Sequence, residues 1–207
     1  DGGRYVDSRQ AFEHGLQMVR DGAEIIDVVG ESSRPGAEVV SAEEELKRVV
    51  PVIKALSRET DCLLSVDTRK ARVAQEALAA GAHIINDITA LTFDPAMPSV
   101  ARDGGAGVIL MHMRGDPKTM QIEPKYGNVV KEVAGYLRDR IRQLKEQGVL
   151  TDAIAVDPGI GFGKTVEHNV SLLAHLDELA GLISPLCRES QHCEVIGAGR
   201  RSPRRSQ

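Results

Sequence analysis

The sequence is poor in cysteine, and the three it has, Cys62, Cys187 and Cys193, form no CxxC pair and no paired spacing. That excludes a zinc ligand set and a disulfide framework, and a reducing compartment is the simplest setting. An excess of base is also lacking: 26 Lys and Arg stand against 30 Asp and Glu, a formal charge of −4. A nucleic-acid-binding surface needs a basic face, so small molecules rather than nucleic acid are the expected partners. No apolar run approaches the roughly 20 residues of a membrane-spanning helix, and no basic start followed by an apolar run marks a signal peptide. The expectation is a cytoplasmic protein with no membrane partner. Two phosphate-binding patterns are missing as well. Only three residues separate Gly159 from the Gly163 that precedes Lys164, too few for a P-loop, and there is no G-x-G-x-x-G.

What is there is 207 residues, 42% hydrophobic and 27% charged, ordinary for one soluble domain with a sizeable core. Five short apolar runs, read as strands over 24–29, 62–66, 83–85, 108–111 and 153–156, alternate with helical stripes. Phe12, Leu16 and Val19 mark a helix over 8–20. Leu46, Val49, Val50, Ile53 and Leu56 mark one that opens at Ser41 with an acidic first turn. Residues 70–80 before Gly81 form another, and Val130, Val133, Leu137, Ile141 and Leu144 a fourth that closes near Gly148. Strand and helix in alternation call for a parallel sheet. Each strand runs into a polar or glycine-rich cluster, at 27–36, 67–70, 86–88, 112–121 and 157–165. In an open doubly wound sheet the ligand collects at one switch point, whereas five equipped strand ends suit the mouth of a TIM (β/α)8 barrel.

The clusters carry chemistry with alternatives beside it. Asp67 and Asp157 each follow an apolar strand, where a carboxylate is costly without donors. With Asn86, which both donates and accepts, they suit a flat heterocycle with adjacent N–H groups. Asp67 could instead cap the next helix. Ser32, Ser33, Arg34 and Pro35 make a plausible carboxylate or phosphate binder, or an ordinary loop with an Arg to Glu pair. The glycines of 157–165 let backbone approach a ligand, or answer a purely steric need. His112 is either a base or a packed strand-end histidine.

Taken together, the segments D-V-V-G-E-S-S-R-P-G at 27–36, S-V-D-T at 65–68, N-D-I at 86–88, L-M-H-M-R-G at 110–115 with P-K-T-M-Q at 117–121, and D-P-G-I-G-F-G-K at 157–164 resemble the dihydropteroate synthases, pterin-binding TIM barrels of folate biosynthesis. The resemblance implies a transferase in which the amine of para-aminobenzoate displaces pyrophosphate from 6-hydroxymethyl-7,8-dihydropterin pyrophosphate, giving 7,8-dihydropteroate. It implies pterin contacts at Asp67, Asn86 and Asp157, an aminobenzoate and pyrophosphate side at Ser33, Arg34, Pro35 and Phe162, no covalent nucleophile, and a homodimer. It also implies Mg2+, whose Asn ligand would lie before residue 1, so that no metal ligand is assigned within the chain.

Against the family's pattern the chain reads as an incomplete barrel over 1–183, lacking the N-terminal strand and the C-terminal part. An atypical segment at 184–207 follows, expected to be disordered at its end. Residues 186–192 replace the expected Ser-Arg-Lys, as a frame disturbance or a genuine variant, and Val29 stands where the family has Gly. Two other readings stay open: a pterin-binding methyltransferase, and a non-catalytic remnant.

Overall fold

The computed structural model describes residues 7–33, 38–115 and 119–182. Helix α1, Ser8–Arg20, starts where the Asp7 carboxylate accepts the backbone N–H groups of Arg9 and Gln10, at 3.1 and 3.0 Å. Strand β1 is Ile25–Val29 and helix α2 is Ala42–Glu59, capped by the Ser41 hydroxyl on the Glu44 N–H. Then follow β2 (Leu63–Asp67), α3 (Ala71–Ala79), β3 (Ile84–Asp87), α4 (Met97–Asp103) and β4 (Gly107–Met111). Helix α5 (Val129–Glu146), a 3-10 turn at Thr151–Ala153, β5 (Ile154–Asp157), α6 (Val166–Ala174) and α7 (Leu176–Ala180) complete the order. The expected strands are all present. β1 and β4 end where the apolar runs do, while β2, β3 and β5 run one or two residues further, so Asp67, Asp87 and Asp157 are the last strand residues rather than the first loop residues.

The five strands are parallel and lie in the order β1-β2-β3-β4-β5, each paired with its neighbour in sequence. A doubly wound sheet reverses its strand order and carries helices on both faces. Here the order never reverses, and right-handed crossovers repeated in one direction leave every helix on the same face. That is the wall of a (β/α)8 barrel, five strands of it among the described residues.

Alternate strand residues confirm the arrangement. Ile26, Leu64, Val66, Ile85, Val108, Leu110, Ile154 and Val156 are buried in two apolar clusters with the helices. The first combines β1 and β2 with Val49, Val52, Ile53 and Leu56 of α2 and Val73 and Ala77 of α3. The second joins β3, β4 and β5 to Met97 of α4, Leu137 and Leu144 of α5, Leu172 of α6 and Leu179 of α7. Each fully buried Leu or Ile contributes about 1.5–3 kcal/mol against exposure. Because side chains alternate along a strand, Asp27, Ser65, Asp67, Asn86 and Asp157 fall on the other face, turned inward.

Candidate functional site

Sheet register decides which inward residues meet. Val29 pairs with Asp67, Asp67 with Asn86, Asn86 with Ile109, and Ile109 with Ala155, one row across the inner face. Asp157, paired with Met111, is two residues further along β5, roughly 7 Å nearer the mouth. In the row below, Asp27 is opposite Ser65. The Asn86 amide therefore reaches diagonally over β2 and donates to the Asp27 carboxylate at 3.1 Å. With one Nδ2 hydrogen so engaged, Asn86 keeps its carbonyl oxygen and second N–H for a ligand. Ser65 is fully buried on this face, and its hydroxyl has no hydrogen-bond partner.

Asp67 does not cap α3. The N-cap position belongs to Lys70, which makes no side-chain cap bond, and the N–H of Ala71 is taken by Asp94 at 2.9 Å. Burial raises the Asp67 pKa well above the carboxylate range, and the negative charges of Asp27, Asp87, Glu45 and Glu31 raise it further. Burial also raises Asp157, while the Gly159 N–H at 2.7 Å and the charge of Lys164 pull the other way. A ligand presenting N–H groups or positive charge to these carboxyls would favour their ionised forms.

The loop from β5 to α6 explains its glycines sterically. Gly159 has φ +68°, and a Cβ there would lie 2.0 Å from the His112 carbonyl oxygen. At Gly163, φ +62°, a Cβ would lie 2.8 Å from the Arg114 carbonyl. Both glycines let this loop lie directly on the backbone after β4. Lys164 is buried beneath it at 4% exposure. Its Nζ donates to the carbonyl oxygens of Gly159 and Phe162 at 2.9 Å and of His112 at 3.1 Å, and lies 3.1 Å from His112 Nδ1. Burial lowers the lysine to about 8. His112 is buried against the edge of the Tyr136 ring, with centroids 5.1 Å apart. Burial, and then the Lys164 charge, lower it to about 4. Of its two sequence readings the packed histidine prevails, since the ring is enclosed and its Nδ1 is turned to the Lys164 ammonium. Phe162 is half-buried in the same loop, its N–H on the Gly159 carbonyl at 3.0 Å.

At the end of β1, Ser33 is half-buried at the edge of the described stretch, and Arg34 and Pro35 lie outside the described residues. Glu31 nevertheless has cationic partners of its own: Arg69 at 2.9 Å and Lys70 at 2.7 Å, with the Val40 N–H at 2.8 Å. Burial pushes Glu31 up, but these bonds and charges outweigh it and hold the carboxyl below its usual range. Lys70 also pairs with Glu45, which is fully buried on α2. The Arg69 guanidinium stacks on Phe93 at 4.3 Å. Val29 is 48% exposed on the inner face beside Asp67, where the side chain narrows the approach to that carboxyl.

Lys164 and Asp27 act here without a role predicted from sequence. Lys164 stood at the end of a glycine-rich motif whose phosphate-loop reading fails, and nothing local announces that its side chain turns back under the loop. Asp27 is one inward step before the strand end, and only the register with β2 and β3 brings it to Asn86. The loop after β3 went unnoticed too: Ala90 and Leu91 hold left-handed φ of +52° and +60°. Asp87 accepts the Thr89 and Leu91 N–H groups at 2.7 and 3.2 Å, and Arg140 of α5 donates to the Ala90 carbonyl at 3.0 Å.

A model of the family described as pterin binding enzyme matches residues 1–198. The chain is 44% identical over 202 residues to dihydropteroate synthase of Synechocystis sp., covering 98% of this chain and 67% of that protein. It superposes with a TM-score of 0.84 on Yersinia pestis dihydropteroate synthase in a sulfonamide drug complex, at 44% identity over 88% of this chain and 65% of that one. With Xanthomonas albilineans dihydropteroate synthase in complex with 7,8-dihydropteroate the TM-score is 0.75 at 41% identity, over 88% and 63%. The chain thus spans about two thirds of the length of the relatives it matches. On the matched span, the identity and the shared barrel wall, it belongs to the pterin-binding enzymes of the dihydropteroate synthase family.

Proposed function

We propose that the inner face at the strand ends binds a dihydropterin, and that the reaction it serves joins 6-hydroxymethyl-7,8-dihydropterin pyrophosphate to para-aminobenzoate, releasing pyrophosphate and forming 7,8-dihydropteroate. The observation that carries this reading is the inward row of Asp67 and Asn86 with Asp157 one step above, held so that acceptors and one amide face the same space. Asp157 would accept the pterin's amino group and ring N–H. Asp67 and Asn86 would bind the other ring edge. These carboxyls are poorly solvated, so their negative charge acts strongly on positive charge developing at the exocyclic carbon as pyrophosphate leaves. The amine of para-aminobenzoate attacks that carbon directly, the C–O bond breaks with its electrons on pyrophosphate, and the ammonium loses a proton to water. No enzyme nucleophile is needed. Phe162, with Ser33, Arg34 and Pro35, would wall the aminobenzoate and pyrophosphate side. Relatives with a sulfonamide drug and with 7,8-dihydropteroate bound support the substrate class.

Magnesium, a homodimer and a cytoplasmic setting belong to the same reading. Among the described residues no group of three or more His, Cys, Asp or Glu is placed to hold a metal ion, and the dication would be held chiefly by pyrophosphate oxygens and water, with few protein ligands. Titration calorimetry with 6-hydroxymethylpterin, with Asp157→Ala as control, tests the site. Saturable binding abolished by the substitution supports it, and para-aminobenzoate condensation is then assayed with the dihydropterin pyrophosphate. Binding unaffected by Asp157→Ala, or none by the folded chain, refutes the reading.

A further inference from the structure

We propose that Lys164 is a positioning residue of this site: its buried ammonium clamps the β5–α6 loop onto the end of β4, holds Asp157 and Phe162 in place, and locks His112 as the Nε2-protonated tautomer. The loop part stands on contacts alone; the consequence for substrate rests on the pterin reading above.

Three backbone carbonyls, of His112, Gly159 and Phe162, converge on one buried point, and Lys164 Nζ occupies it. Carbonyl dipoles aimed at a common centre repel one another, and the one relief among them is partial, the Phe162 N–H on the Gly159 carbonyl at 3.0 Å. An ammonium satisfies them together. It has three hydrogens for four neighbours, so one is shared between the His112 carbonyl and Nδ1, both at 3.1 Å; with no acceptor to offer, it leaves no place for a proton on Nδ1, and the imidazole proton is then on Nε2. Gly159 and Phe162 flank the stretch that follows Asp157, while His112 belongs to the segment after β4. The clamp therefore ties two strands together at the level of the site. It acts on Asp157 through a short chain: the Gly159 N–H bonds the Asp157 carboxylate at 2.7 Å, and the His112 N–H bonds the Asp157 carbonyl at 3.0 Å. The groups acting electrostatically on the pair are Asp157 on the lysine, and Lys164, Arg114 and Glu132 on the histidine, with the rings of Tyr126 and Tyr136 beside it. With its pKa at about 8, the lysine keeps its proton at neutral pH and loses it in mild alkali.

The first measurement needs no substitution. In long-range 1H–15N spectra of the full chain at pH 7, His112 is expected neutral, with the proton on Nε2; a proton on Nδ1 overturns the clamp. Hydrogen exchange across residues 158–163 is then compared with Lys164→Ala. The variant should exchange about tenfold faster or more, the loss of a charge-assisted bond. Propylammonium, which replaces the missing atoms, should restore protection, and tetramethylammonium, which cannot donate, should not. Unchanged exchange, or loss that propylammonium leaves unrepaired, overturns the proposal. Should the variant not fold, the unmutated chain decides it: above pH 8, exchange of 158–163 corrected for the intrinsic rate should rise while α3 stays protected, and a flat profile overturns the clamp. In a parallel titration with 6-hydroxymethylpterin, Lys164→Ala should bind about tenfold more weakly than the unmutated chain, and equal affinity removes the positioning role. Absence of pterin binding by the unmutated chain refutes the functional reading instead, and leaves the spectra and exchange to decide the clamp.

Discussion

Gly159→Ala measures how tightly the β5–α6 loop is seated. Two costs add at this position. A non-glycine residue at φ +68° carries a conformational penalty of about 1–2 kcal/mol. The new Cβ would also start 2.0 Å from the His112 carbonyl oxygen and 3.2 Å from Met111 Cγ, so backbone must yield, at about 1–3 kcal/mol. Together they predict a loss of about 2–5 kcal/mol. Gly161→Ala separates the terms, because Gly161 has φ +83° with nothing within 4 Å of the added atom. It should lose only the conformational part. Urea unfolding followed by circular dichroism gives the comparison. At an m-value of about 2 kcal/mol/M, the Gly159 variant should unfold about 0.5–1.5 M earlier than the Gly161 variant. Coincident midpoints would refute the claim that this loop rests on the strand-end backbone.

Three further outcomes follow from the same geometry. His112 is held at about 4 when folded against 6.5 unfolded, so its contribution is complete above pH 6.5 and lost as pH falls toward 4, about 3 kcal/mol in all. It should be read as the difference between the chain and His112→Gln, because the raised carboxyls of Asp67 and Asp157 act with the opposite sign, losing stability as pH rises; equal slopes in both proteins would contradict it. Lys70→Met strands the fully buried Glu45 carboxylate and should cost about 3–5 kcal/mol in thermal unfolding, with much of that recovered in the Lys70→Met, Glu45→Gln double variant; additive losses would show that the pair does not interact. Asp27→Ala should free the Asn86 amide and weaken 6-hydroxymethylpterin by about tenfold in calorimetry, without lowering the melting temperature by more than a few degrees; unchanged affinity would remove the orienting role.

Element identity was legible because it rests on local periodicity. The stripe of Phe12, Leu16 and Val19 and the run before Asp157 each declare themselves within a few residues, and α1 falls on its predicted bounds. Asp67, Asn86 and Asp157 were legible because a polar residue at the end of an apolar run is conspicuous, and the structure places all three on one face. What escaped depends on separations the chain does not display locally. Asp27 meets Asn86 across 59 residues and Lys164 meets His112 across 52, and only strand register creates either meeting. The αL pair at Ala90 and Leu91 was invisible for another reason. Neither residue favours that conformation, which Asp87 on one side and Arg140 on the other sustain. The segment 184–207, and with it residues 186–192, lies outside the described residues.

The one-sided helical cover of the sheet has an evolutionary corollary. Along β2, Leu64 and Val66 are locked into the packing against helices, whereas Asp67 at the strand end is turned toward the space where a ligand would sit. Substitutions at the inward strand ends can therefore reshape what the site accepts with little loss from the helix-facing core, and those at the helix-facing positions do the reverse. Drift and selection thus act on interleaved letters of the same five short words, so that a new ligand preference could arise without first loosening the frame that holds it.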